Sequence, residues 1–315
     1  MIIINLALFL LSLFCLIKSA GYAIRYSSRL AKFFHLSEFV VSFFIVAVIS
    51  VFPEATISIV SAVGDVPEFG LGVLLGSNVA DLTLVLGIVA MISLKGVSVK
   101  SEILKEDYLY LVLLLFPVVL GLDGYFSRID GILLLMSGLF FFLTLSIESK
   151  MVRRRFGHEN RSSFFKNIFL LCLSLAGLLI SASYTVKFGV DFAGDIQMPP
   201  ILVGLTMVSI GTCLPELLFS IRAVRTKHDE LALGDVLGTV ITDATIVLGV
   251  MVIINPFYFK PAIIYVTGFA MFLAGLLAIL FIVSGKILTK KEGVYLLFFY
   301  IFYLIVEFVA NNLLR

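Results

Sequence analysis

Apolar runs of roughly 17–25 residues, each long enough to cross a lipid bilayer as one helix, follow one another along the whole chain. This feature restricts the fold more than any other. Inside lipid the backbone must satisfy its own hydrogen bonds, and a single run achieves that only as a helix. Charged residues make up 14% of the 315 residues and hydrophobic ones 61%, against about 25% charged in a soluble domain. The connections are too short to hold a soluble domain of any size. The expected fold is all-α and membrane-embedded, with ten transmembrane helices at about 3–26, 38–63, 69–93, 107–122, 130–148, 164–187, 199–224, 231–254, 259–283 and 293–312. The longest hydrophilic stretch, Glu148 to Lys166, carries Arg153, Arg154, Arg155, His158 and Arg161. It divides the chain into a unit 1–148, a cytoplasmic linker 149–163 and a unit 164–315, each unit with five spans.

The basic residues orient this layout. With both termini outside, the cytoplasmic connections carry 18 of the 23 Lys and Arg residues; Lys18, Arg128, Lys187, Lys260 and Arg315 are the remainder. Enrichment of Lys and Arg on the inner side is the pattern that sets orientation. A net charge of +2 distributed in this way gives no reason to expect a nucleic-acid partner. The first apolar run lacks a basic segment before it, so it reads as a retained span rather than a secretory leader. The expected location is the cell membrane, as a multi-pass protein and plausibly a monomer. Cys15, Cys172 and Cys213 lie in spans at no metal-ligand spacing. His35, His158 and His228 fall at span ends or in loops and read as ordinary polar residues.

The two units repeat one another. Ser50-Val51-Phe52-Pro53-Glu54 matches Thr212-Cys213-Leu214-Pro215-Glu216 at an offset of 162 residues. The same offset carries Gly72, Gly76, Asp81 and Thr83 onto Gly234, Gly238, Asp243 and Thr245 without a gap. Five spans is an odd number, so the second unit is expected upside down relative to the first. Inverted repeats of this kind place substrate sites near the bilayer midplane at the interface between them. Two equivalent halves that exchange roles would give inward-open and outward-open states of similar energy.

Four carboxylates lie deep in the expected spans: Glu54, Asp81, Glu216 and Asp243. An acid at a helix centre costs roughly 2.5–3.5 kcal/mol on insertion scales. No Lys or Arg at matching depth stands ready to pair with them, so they call for cations or protons. Pro53 and Pro215 lack an N–H and release the carbonyls of Ile49 and Gly211 from helical bonding. Ser50 and Glu54 share a helix face, as do Thr212 and Glu216, Ser77 and Asp81, and Thr239 and Asp243. Carboxylate, hydroxyl and carbonyl oxygens are the ligands that Ca2+ takes. Gly72 and Gly76, with Gly234 and Gly238, form small-residue faces that let helices approach closely.

These segments resemble the α-repeats of the cation/Ca2+ exchanger superfamily, and its sodium/calcium branch most. The family pattern is Gly-Thr-Ser-x-Pro-Glu on one span and Gly-Ser-Asn-x-x-Asn/Asp on the next. The two copies here read Ile49 to Glu54 with Gly76-Ser77-Asn78 to Asp81, and Gly211 to Glu216 with Gly238-Thr239 to Asp243. The resemblance implies an antiporter that exchanges Ca2+ for Na+ by alternating access, with no enzymatic activity and no cofactor. It implies that Glu54 and Glu216 are the central Ca2+ ligands, shared with Na+, and that Ser50 and Thr212 stand beside them. Ser77 and Thr239, with the carbonyls near Ala47 and Ser209, would flank them as Na+ ligands, and Asp81 and Asp243 would lie at the centre. It also implies that the first and sixth spans slide across the others.

The departures from the pattern bear on the ions. Ile49, Val51 and Cys213 replace a Gly and two hydroxyls, and Val73 and Asp235 stand where the family has Asn. Both central positions carry Asp. Four ionised acids exceed the charge of one Ca2+ by two, so a shared proton on Asp81 and Asp243 or an extra cation is expected, and exchange against H+ or with K+ is the alternative to Na+. Two other classes fit less well. Gly234-Asp235 resembles an intramembrane aspartyl protease motif, but Ala232 stands where that motif needs Gly. The repeated Pro-Glu would have no role in such a protease; an ion channel is the other class, and saturable, counter-ion-dependent flux separates an antiporter from it.

Overall fold

The computed structural model describes residues 2–33, 50–93, 95–98, 107–148, 161–285 and 287–313. The helices are α1 (Ile2–Phe33), α2 (Phe52–Val63), α3 (Pro67–Ile92), α4 (Asp107–Leu120), α5 (Arg128–Glu148), α6 (Arg161–Asp195), α7 (Pro200–Arg225), α8 (Asp229–Ile254), α9 (Pro261–Gly285) and α10 (Lys290–Leu313). Seven of them, α1, α3 and α6 to α10, are long and apolar enough to cross a membrane among the described residues. The start of the expected span 38–63 lies outside the described residues, and so does Ala47.

Burial ranks the helices. α3 is 89% buried and α8 78%, whereas α1 is 22% and α6 28% buried over their most apolar stretches. The core therefore gathers around α3 and α8, and α1 and α6 lie side by side at its periphery. α1 and α6 run 32 and 35 residues, or about 48 and 52 Å at ~1.5 Å per residue. Both outrun the ~30 Å hydrocarbon layer, which demands tilt or protrusion. The expected span 164–187 ended too early. Helix α6 continues to Asp195 because Phe192 and Ala193 pack with Phe9 and Phe69 in one apolar cluster, and Asp195 accepts a 2.7 Å hydrogen bond from the Asn5 side chain of α1.

The repeat recurs in the contacts as well as in the residues. Strand β1 (Val97–Ser98) pairs with β4 (Ile287–Leu288), and β2 (Tyr125–Phe126) pairs with β3 (Phe257–Tyr258), both antiparallel. Gly87 of α3 lies against the Gly293 carbonyl of α10, where an added Cβ would come within 2.8 Å of its oxygen. Gly249 of α8 meets the Gly131 carbonyl of α5 in the same way, at 2.7 Å. The turns after α2 and α7 also match. Asp65 and Lys227 take the left-handed conformation at φ 58° and 64°, and a 2.9 Å backbone bond closes each turn, Val66 to Ser61 and His228 to Ala223. Each half thus completes its packing on the other, so neither half buries its glycine faces alone.

Among the described residues, four π-helical turns interrupt these helices, at Asp81–Val85, Gly204–Val208, Thr242–Val247 and Ile264–Gly268. Such wide turns are rare and recur at functional sites. The first and third contain Asp81 and Asp243. The Thr83 hydroxyl donates to the Val79 carbonyl, and that of Thr245 to the Ile241 carbonyl. The two central acids therefore sit in matching local deformations that no 3.6-residue periodicity encodes.

Among the described residues, helix backbone comes closest to a glycine face between α3 and α7. A Cβ on Gly72 would collide with the Ile201 carbonyl and one on Gly76 with the Leu205 carbonyl, while a Cβ on Gly204 would come within 2.6 Å of the Phe69 carbonyl. The small-residue face of Gly72 and Gly76 therefore seats the Asp-bearing helix of one half on the Glu-bearing helix of the other. Gly76→Ala is expected to destabilise the protein by about 1–3 kcal/mol, because backbone rather than a flexible side chain must yield. Gly21→Ala, where an added Cβ meets nothing within 4 Å, is the control. Thermal unfolding in detergent should show a lower midpoint for the first and not for the second.

Candidate cation-binding site

The repeated Pro-Glu segments break their helices in the same place. The residue before the Phe-Pro or Leu-Pro pair departs from helical geometry while its carbonyl still accepts a helical bond: Val51 has ψ −14° and Cys213 ψ −6°, against about −42° in a regular helix, and the Ala55 and Leu217 N–H groups donate to their carbonyls. Proline supplies no donor to the preceding turn, so the chain re-enters helix with Glu54 and Glu216 in its first turn. The acids are thereby placed at the mouths of two new helical segments, α2 and the second part of α7.

Every expected site residue that is described is fully buried: Ser50, Glu54, Ser77, Asp81, Ser209, Thr212, Glu216, Thr239 and Asp243 are 0% exposed. The acids feel one another's charge across the two halves. Glu54 acts on Asp81, Glu216 and Asp243, and Asp81 on Glu216 and Asp243. Among the described residues, both oxygens of Glu54, Asp81 and Glu216 lack a hydrogen-bond partner, as do Asp243 Oδ1 and Thr239 Oγ1. Buried polar groups are ordinarily paired, and an unpaired ionised carboxylate in a low-dielectric interior costs several kcal/mol.

The hydroxyls divide by role. Ser77 donates to the Leu74 carbonyl at 3.1 Å and reaches Asp243 Oδ2 of the other half at 3.4 Å. Cys213 lies 3.6 Å from the Ser77 carbonyl oxygen, toward which its thiol donates. Ser209 and Thr212 turn inward on their own helix: Ser209 donates to Leu205 at 2.6 Å, and Thr212 donates to the Ser209 carbonyl at 3.1 Å. That carbonyl also accepts from the Cys213 N–H at 3.1 Å, so both lone pairs of an oxygen that the sequence offers as an ion ligand are engaged within the helix. Among the described residues no three His, Cys, Asp or Glu side chains converge tightly enough to form a ready-made metal cluster. The acids share one region without closing around a point.

A count of four buried acids is too low. Asp235 of α8 is 1% exposed and Glu307 of α10 is 5% exposed. Asp235 accepts a 2.8 Å hydrogen bond from Ser50, its Oδ2 has no partner, and its charge acts on Glu54, Asp81 and Glu216. Sequence reading set it aside as a departure from a family Asn near the start of a span. The signal was present in the spacing: Asp235, Thr239 and Asp243 recur every four residues on one helix face. Glu307 accepts from Thr267 at 2.7 Å and lies apart from this group. Two tyrosines were also missed. Tyr300 is buried with a hydroxyl that has no partner among the described residues, and Tyr110 donates to the Leu237 carbonyl at 3.3 Å.

Away from these acids, an open cavity of about 390 Å³ lies at the turns joining α2 to α3 and α8 to α9. Asp65 and Glu68 line it with Asn255 and Tyr258. Asn255 donates to the Asp65 carboxylate at 3.1 Å and to the Ala62 carbonyl at 2.9 Å, tying the two turns together. His228, at the matching turn after α7, is exposed and its ring bonds to the Thr226 hydroxyl, so it is an ordinary turn residue.

Unpaired buried acids make a measurable demand on stability. In cation-free buffer, Glu216→Gln and Asp81→Asn are expected to raise the melting midpoint, by the equivalent of about 1–3 kcal/mol, because each removes a buried charge that no protein group compensates. A lower midpoint in both variants would mean that these carboxylates are held by protein partners.

The chain was compared with known proteins. The family model described as "Sodium/calcium exchanger protein" matches residues 4–147 and again residues 166–309, the second match displaced by the same 162 residues. The chain is similar to the sodium/calcium exchanger MaX1 of Methanosarcina acetivorans, with 29% identity over 98% of this chain and 99% of that one. It is also similar to the inner membrane protein YrbG of Escherichia coli, with 27% identity over 81% of each. Among solved structures it resembles the sodium-calcium exchanger NCX_Mj at 28% identity and a TM-score of 0.68, covering 96% of this chain and 99% of that one. Two family matches spanning nearly the whole chain, on a membrane helical core that gathers buried acids from both halves, lead to one assignment: the chain belongs to the sodium/calcium exchanger family and is a multi-pass membrane exchanger of Ca2+ and other inorganic cations.

Proposed function

We propose that this protein exchanges Ca2+ for Na+ by alternating access, with ten spans in two inverted five-helix halves, units 1–148 and 164–315, and both termini outside. The observation that carries this reading is the set of carboxylates from both halves, buried together with eight of their ten oxygens unpartnered among the described residues. A cation supplies what the protein withholds. Glu54 and Glu216 are the ligands of the exchanged Ca2+, at the two helix breaks. Ser50, Thr212, Ser77, Thr239 and the carbonyls at Ala47 and Ser209 serve the accompanying Na+, with Asp81 and Asp243 between them. The names of MaX1 and NCX_Mj support Na+ as the driving ion. The long, little-buried α1 and α6 are suited to slide together across the buried α3 and α8. The protein acts as a monomer in the cell membrane, without an enzymatic step or a cofactor.

Exchange against H+, or with K+, is a second reading, and the surplus of acid favours it. Five neighbouring carboxylates exceed the charge of one Ca2+, and Val51 and Cys213 remove oxygen ligands from the places where Na+ would take them.

Reconstituted vesicles separate the two readings. An outward Na+ gradient is expected to drive Ca2+ uptake, and a pH gradient alone is not. Glu54→Gln and Glu216→Gln are each expected to reduce Ca2+ exchange at least tenfold, as loss of a charged ligand does. Retained exchange in both variants would remove the proposed site. Asp81→Asn is expected to change the charge moved per Ca2+, measured electrically on the same vesicles, and an unchanged value would take Asp81 out of the ion count.

A further inference from the structure

The acids of the two halves come in matched pairs, Glu54 with Glu216 and Asp81 with Asp243, and Asp235 breaks the pairing. Its counterpart at the offset of 162 is Val73, which is fully buried in an apolar cluster with Phe69 and Val203. The second half therefore brings one acid more to this site than the first. On α8 the ladder of oxygen-bearing side chains is Asp235, Thr239 and Asp243; on α3 it is only Ser77 and Asp81. The α8 ladder is longer by one helical turn, about 6 Å along the axis.

The geometry around Asp235 fits a ligand and not a purely structural acceptor. Ser50 donates to Oδ1 at 2.8 Å, and Oδ2 is buried with no partner. Thr239, one turn further along the same face, is 0% exposed and its hydroxyl has no partner either. Glu54 lies within electrostatic reach, again with both oxygens unpartnered. A hydroxyl that needed only an acceptor would be served by Asn, at no charge. An ionised carboxylate here adds to a site already rich in negative charge, which is unfavourable unless a positive charge accompanies it.

We infer that Asp235, with Ser50, Thr239 and Glu54, binds an additional monovalent cation of Na+ size, beyond the ions held by the paired acids. Hard oxygen ligands select a hard cation, and one unpaired carboxylate is balanced by one monovalent charge. The cation would enter at the α8 end of the site alone, since Val73 offers nothing on the opposite side. This inference rests on the reading of Glu54 and Glu216 as the exchange site.

The test is the number of Na+ moved per Ca2+, obtained from the null point of opposing Na+ and Ca2+ gradients in vesicles holding the full chain. Asp235→Asn and Asp235→Val are expected to lower that number by one, and Asp235→Glu to keep it. Assembly of each variant is checked by size-exclusion chromatography. If Asp235→Asn does not assemble, the comparison of Asp235→Glu with the wild-type protein decides, in Na+ titrations by calorimetry: an unchanged Na+ count supports the inference, and a lower one overturns it. An unchanged ratio in Asp235→Asn would make Asp235 a hydrogen-bond acceptor only. A changed pH dependence with an unchanged ratio would make it a proton carrier. Loss of all exchange in a well-assembled Asp235→Asn would assign it to Ca2+ itself. Each of these three results overturns the inference. Failure of the underlying reading shows separately, as Ca2+ exchange retained in Glu216→Gln.

Discussion

A carboxylate buried in a membrane without a partner must find positive charge or lose its own. The rest of this structure depends on that constraint. Glu54, Asp81, Glu216, Asp235 and Asp243 are all buried, and together they leave eight carboxylate oxygens without hydrogen-bond partners. A protein selected only for stability would have paired them or replaced them by apolar residues, since buried charges stabilise weakly even when matched. On the proposed reading the mismatch is the function: cation binding would discharge the strain, and release of one cation type would prepare the site for another. Because differential binding to two states is what shifts an equilibrium between them, such a site couples the ions to the motion of the helices around it.

The packing serves that constraint. The acids sit at breaks and wide turns, after the prolines at 53 and 215 and in the π-turns at Asp81–Val85 and Thr242–Val247. Non-ideal backbone inside a membrane survives only where protein or a polar cavity surrounds it. That requirement explains the near-total burial of α3 and α8. Glycines then set the distances. Gly72 and Gly76 let α3 ride on the backbone of α7, which carries Ser77 of one half to Cys213 of the other and, through α8, to Asp243. The paired contacts Gly87 with Gly293 and Gly131 with Gly249 brace the outer helices α10 and α5 against the same core. The peripheral pair α1 and α6, bound mainly to each other, is left with the least to break in moving.

Much of this was legible in the residues. Apolar run lengths marked the helices to within a few residues for α3, α5 and α7 to α10. The 162-residue offset anticipated contacts as far apart as the left-handed turns at Asp65 and Lys227. The four paired acids and their hydroxyl neighbours were readable because side chains four apart share a helix face. Three things were not readable, each for a physical reason. The length of α6 was hidden because Lys187, Asp191 and Asp195 interrupt its apolar run, while burial of Phe192 and Ala193 against α1 and α3 holds the helix together. The π-turns leave no periodic signature in so short a segment. Asp235 was passed over because only hydroxyl-acid pairs were sought, and because a position near a helix start usually reaches water; packing of α8 against α7 and the Ser50 segment seals it instead.

The central claim is that the unpaired acids of both halves hold one shared divalent cation. The most direct measurement is anomalous diffraction from crystals of the full chain soaked in Sr2+, a heavier cation with the oxygen preference of Ca2+. The account predicts a strong peak inside the helical core, with oxygens of both Glu54 and Glu216 within about 2.3–2.7 Å of it. A map whose peaks lie only among surface acids such as Asp65 and Glu68, with Glu54 and Glu216 unliganded at saturating Sr2+, would contradict it.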